Sequence, residues 1–153
     1  MEALRAARFR VVTADDMPGW LATHTVFITG VGSAILAVDG DCDRLAADRS
    51  RVDAMVVGVG DGFDALAAAG TKVQPAALKF IFRSVPRWIS VPYWAGLIRG
   101  DTGRVAIAPH ALATRGTEFA YLVAAVRRLL GDGMPASLAA LLDSVGGAGR
   151  PAG

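Results

Sequence analysis

The stretch V-F-I-T-G-V-G-S-A-I-L, residues 26–36, decides how the rest of the chain is read. An apolar run enters Gly30, Gly32 follows at the spacing of a dinucleotide-binding loop, and another apolar segment comes after. A Rossmann loop needs a strand, a tight turn and a helix whose amino end takes the pyrophosphate, in the pattern G-x-G-x-x-G. The third glycine position is Ile35. The acid that should hold the ribose about 20 residues later falls to Asp48 or Asp53, and both lie in or beside a helical pattern. A second group, G-V-G-D-G at 58–62, has the wrong spacing and sits inside a helical repeat. Both groups read as sites of close helix packing, and the chain by itself is expected to bind no dinucleotide.

The flanking sequence supports helices. Asp15 or Asp16 offers an amino-terminal cap and Pro18 fits a first turn, so a buried helix is expected from Trp20 to about Val38, ended by D-G-D at 39–41. Asp48 is the next cap, and Val52, Met55, Val56, Val59, Phe63 and Leu66 recur every three or four residues up to a stop at Gly70. Pro75 opens a short helix. The segment V-P-R-W-I-S-V-P-Y-W, 85–94, is expected to be short helical pieces or irregular, because Pro86 and Pro92 punctuate it. D-T-G at 101–103 reads as a turn, and Ile107 to Leu130 as one long helix with possible breaks near Pro109 and Gly116. A last short helix follows Met134. The expected fold is all-α, a helical bundle without a Rossmann domain: a lead-in at 1–14, a helical domain at 15–145 and a disordered tail at 146–153.

Composition excludes several functions. Of 153 residues, 53% are hydrophobic, which suits one domain with a sizeable core. A net charge of +2, with scattered arginines, argues against a nucleic-acid partner. The lone Cys42 allows no internal disulfide and fits a reducing cytosol, and two distant histidines, His24 and His110, give no metal-ligand spacing. Residues 17–38 carry no Asp, Glu, Lys or Arg. That length could span a bilayer, but Pro18, His24, two glycines and several threonines favour a buried helix over a membrane segment. The charged start lacks the apolar core of a secretory signal.

Read in order, W-L-A-T-H-T-V-F-I-T-G-V-G-S-A-I-L, A-V-D-G-D, M-V-V-G-V-G-D-G-F-D-A-L-A-A-A-G and R-G-T-E-F-A-Y-L-V-A-A-V-R-R-L-L resemble the C-terminal helical domain of the ketopantoate reductase (2-dehydropantoate 2-reductase) family. The fold is likewise similar to that of 6-phosphogluconate dehydrogenase-like enzymes. The resemblance covers about residues 15–145, and its most specific part is R-x-T-E ahead of an apolar helix. It implies a domain that holds a 2-keto acid against an NADPH-binding Rossmann partner and supplies dimer contacts. In that family a lysine on the first helix gives a proton to the reduced substrate, nearby asparagines and a later glutamate hold its hydroxyls, and the chemistry is general-acid catalysis at a developing alkoxide. The resemblance makes Glu118 the substrate-binding glutamate, with Thr117 and Arg115 beside it.

The sequence departs from that pattern. The cofactor domain is missing, and the segment from Trp20 to Gly32 has neither lysine nor asparagine; Lys72 and Lys79 lie well downstream. His24, a helical turn past the expected lysine, could donate the proton instead, or could be a hydrogen-bonded core histidine. Glu118 could equally be an exposed carboxylate favoured by its helix dipole, and Arg115 a solvated surface side chain. His110 reads as structural or exposed. Trp88, Tyr93 and Trp94, with Phe80 and Phe82 nearby, read as core or as a surface meant for a partner. The resulting expectation is a stand-alone or truncated substrate-binding and dimerisation domain of an NADP-dependent oxidoreductase, inactive without a Rossmann partner. The competing expectation is a helical interaction module, a homodimer with no catalytic role.

Overall fold

The computed structural model describes residues 16–147. The expected lead-in at 1–14 and most of the expected tail lie outside those residues. Helix α1, Met17–Leu36, begins where Asp16 accepts a 2.9 Å hydrogen bond from the Gly19 amide, with Pro18 in the first turn. From Thr29 to Leu36 every residue is buried, so α1 is the central helix. Its buried hydroxyls find acceptors within the helix: Thr23, Thr29 and Ser33 each donate a proton to the carbonyl four residues back, at 2.6–2.9 Å. Among the described residues, α1 is the helix long and apolar enough to cross a membrane, but 61% of its apolar window is buried by its neighbours.

The turn at Val38–Asp41 leads to α2, Cys42–Ala47, and α3, Arg49–Ala68. Asp48 caps α3 by accepting from the Arg51 amide. Val52, Met55, Val56, Val59, Phe63 and Leu66 are the buried stripe, each 0–1% exposed, as their spacing requires. Full burial of side chains of this size contributes about 1.5–3 kcal/mol each. The third core helix is α8, Ala136–Gly147, which lays Leu138, Leu141 and Leu142 onto both α1 and α3. It reaches Gly147, two residues past the expected end of the domain.

The glycine pair of the opening stretch lies inside α1. A Cβ on Gly30 would stand 2.5 Å from a Val59 methyl, and one on Gly32 would stand 2.9 Å from the Phe119 ring. Both are therefore helix-contact points, and the described residues contain no strand.

Helix α4, Ala76–Arg83, leans on α3 through Phe82, and α5, Arg87–Arg99, packs on α2 and α3. The stretch at 85–94, expected as short helical pieces or irregular structure, is a single helix from Arg87 onward: Pro86 stands just ahead of its first turn, and Pro92 lies inside it without ending it. Phe63, Phe82, Trp94 and Phe27 form one aromatic cluster, with Phe82–Trp94 centroids 4.6 Å apart. After Gly100 the chain makes a six-residue π-helical segment, Thr102–Ile107, continuous with α6, Ala108–Ala113. The break expected at 101–103 is thus at Gly100, and Pro109 sits harmlessly in the first turn of α6. The long helix expected from Ile107 is divided at Gly116, whose φ is +97°, before α7, Thr117–Leu130. Helices α6 and α7 cover the side of α1 away from α8.

Candidate functional site

On α1, His24, Phe27, Ile28 and Val31 share one face, at offsets of three, four and seven residues. The same offsets on the π-helical segment and α6 align Ile107, His110, Ala111 and Thr114. These two faces, closed by Phe119 and Leu122 of α7, line a cavity of about 240 Å³. Gly32 lets the Phe119 ring lie directly on the α1 backbone and form part of its wall. The lining is mostly apolar. Its polar side chains are two imidazoles and one hydroxyl, and the Thr114 hydroxyl is already engaged with the His110 and Ala111 carbonyls, 3.1 Å from each.

The imidazoles are the available chemistry. The His24 ring stacks on Trp20, centroids 4.8 Å apart and planes within 11°, which fixes its orientation. Partial burial lowers its pKa below the ordinary 6.5, and the charge on His110 lowers it further. His24 is therefore neutral at pH 7, with one ring nitrogen to donate a hydrogen bond and one to accept. Such a cavity suits a small ligand with an apolar body and one hydrogen-bonding head, and an imidazole there can hand over or receive a proton.

The other sequence candidates lie elsewhere. Arg115 donates to the Asp39 carboxylate at 2.7 Å and to the Leu36 carbonyl at 3.4 Å, so it closes off the end of α1. Thr117 and Glu118 are exposed in the first turn of α7 and do not line the cavity. Glu118 stands one turn before Leu122, which does. The helix headed by R-G-T-E thus reaches the site through Phe119 and Leu122 and not through its carboxylate. His110, read from sequence as structural or exposed, is exposed and yet lines the cavity, as does His24, which is exposed and not the core histidine that was its alternative reading. The signal for His110 was the Ile107–His110–Ala111–Thr114 spacing, but nothing local ties that face to His24.

Cys42 is buried at the start of α2, and burial pushes its thiol pKa up, which disfavours the nucleophilic thiolate. Among the described residues no three His, Cys, Asp or Glu side chains are grouped to hold a metal ion. The aromatic segment divides: Trp94 and Phe82 are core, whereas Trp88 is 74% exposed and Phe80, Ile89 and Tyr93 are also exposed. No protein-family model, curated protein or solved structure matches the chain.

Proposed function

We propose that the cleft between α1, α6 and α7 is a substrate pocket, and that the chain is the substrate-binding half of an oxidoreductase of the ketopantoate reductase kind. In this reading the ligand is a small 2-keto acid, its apolar part held by Phe27, Val31, Ile107 and Phe119. His24 stands in for the missing first-helix lysine as proton donor to the developing alkoxide, and NADPH comes with a separate Rossmann domain. One observation carries the reading: the histidine-bearing first helix and the helix headed by R-G-T-E line one cavity. Glu118 and Thr117 bear on a ligand in this scheme only where it extends beyond the cavity, and Arg115 serves the fold.

The test is proton NMR of the two imidazoles during titration with ketopantoate. Both sets of ring resonances should move saturably in the full chain, and the His110 shift should vanish in Val31→Trp, which fills the cavity. Ring resonances that stay still at every ligand concentration would end the proposal. The chain mixed with NADPH and ketopantoate is expected to leave the cofactor unoxidised; turnover by the chain alone would contradict its role as a half-enzyme.

A second reading has its own support. Trp88, Ile89 and Tyr93 leave a large exposed apolar area on α5, which is how a surface made for assembly is built. That reading needs no catalysis and is compatible with a homodimer.

A further inference from the structure

A second cavity lies apart from the histidine cleft. A cavity of about 420 Å³ lies among α1, α3 and α8, floored by Ala34, Ala54, Val57 and Leu141. This is within the roughly 300–1,000 Å³ of small-molecule sites. It stays open for a geometric reason. At Gly58 the backbones of α3 and α8 are already nearly touching, since a Cβ there would stand 3.2 Å from the Ser137 carbonyl oxygen. The helices therefore cannot close further, and one turn back along α3 the small side chain of Ala54 leaves the space unfilled.

The rim carries two arginines, from two helices, each paired with an aspartate. Arg51 of α3 and Arg87 of α5 both reach the cavity, with Asp53 as the acid among them. Their present partners are weak: Arg51 pairs with Asp48 at 3.0 Å and Arg87 with Asp53 at 3.2 Å, through side chains 37–65% exposed. Solvent-screened pairs of that kind exchange readily for a ligand anion, whose carboxylate can take a guanidinium in two parallel hydrogen bonds.

We propose that this cavity binds an amphipathic organic monoanion, a carboxylate or sulfonate head on a hydrocarbon or aryl body. The body lies on the alanine floor and the head meets Arg51 and Arg87. The site is separate from the His24–His110 cleft, shares no lining residue with it, and stands whether or not the reductase reading does.

The experiment is a calorimetric titration of the full chain with octanoate, repeated with octanol. Saturable one-site binding of octanoate is expected. Ala54 and Ala140 are exposed side chains at the cavity, so Ala54→Leu with Ala140→Leu fills it without touching the core. That pair should weaken octanoate at least about tenfold while leaving the thermal melt in place. Arg51→Gln with Arg87→Gln should weaken octanoate by a similar factor and octanol hardly at all. Equal loss for octanoate and octanol would remove the charge recognition. Octanoate affinity unchanged by the leucine pair, or no octanoate binding at all, overturns the site. A leucine pair that changes only the oligomeric state, by sedimentation, would make this face an interface between copies instead.

Discussion

Gly30 and Val59 touch so closely that the absence of one methyl group sets the spacing of α1 and α3. Gly30→Ala should cost about 1–3 kcal/mol through overpacking, read as a lower urea midpoint at unchanged slope; an unshifted midpoint would mean the helices separate freely. His24 gives a second residue-scale prediction. Its folded pKa lies below 6.5 because of burial and then of His110. The fold therefore favours the neutral ring: above 6.5 both folded and unfolded chains carry it neutral and its contribution is whole. As pH falls from 6.5 through the lowered folded value, the unfolded chain takes the proton first and stability declines. His110→Gln removes the facing charge but not the burial, so the His24 pKa should rise part of the way toward 6.5 in an NMR titration. No rise would mean that the two rings do not sense each other. Sequence alone marked His24 as a candidate; that His110 lines the same cavity was not readable, because the two stand 86 positions apart in the chain.

At the scale of elements, helix starts were legible and the breaks between α5 and α7 were less so. Caps act within one turn, and Asp16 and Asp48 both cap as their positions imply. Asp16→Ala should cost about 1 kcal/mol, measurable as a lowered thermal midpoint. The π-helical segment Thr102–Ile107 has no comparable local marker. Gly103 within it is pressed onto the Ile98 carbonyl, leaving no room for a Cβ, whereas Gly96 in α5 has open space around that position. The pair makes a contrast. Gly103→Ala should destabilise by about 2 kcal/mol or more, since the obstacle is backbone, while Gly96→Ala should be stabilising by up to about 1 kcal/mol from helix propensity. Equal effects from the two in chemical denaturation would show that the contact does not shape the segment. The consequence reaches the site: this segment carries Ile107 and feeds α6, which carries His110.

For the whole molecule, burial sorts the aromatic residues in a way their order along the chain does not. Trp94 joins Phe63 and Phe82 inside, with the half-buried Phe27 against them, while Trp88, six residues earlier, is 74% exposed. If that surface serves assembly, Trp88→Glu should leave stability within about 0.5 kcal/mol and shift light-scattering mass toward the monomer at high concentration. A chain that is monomeric before the substitution would exclude the assembly reading for α5. The reductase proposal is independent of that result, because its cavity is built from α1, the π-helical segment, α6 and α7 and not from α5.

The amino-acid sequence by itself determined the all-α architecture, the capped ends of α1 and α3, and the helical setting of Gly30 and Gly32. Each of these follows from interactions over a turn or two: a 3.6-residue period, a carboxylate three residues from an amide, a missing third glycine. Only the tertiary structure decided that Arg115 closes the end of α1, that Glu118 is exposed and outside the cavity lining, and that His24 and His110 share it. Those outcomes depend on where α6 and α7 dock. Docking is a balance of many weak packing contacts between residues far apart in sequence, and no short stretch of residues carries it.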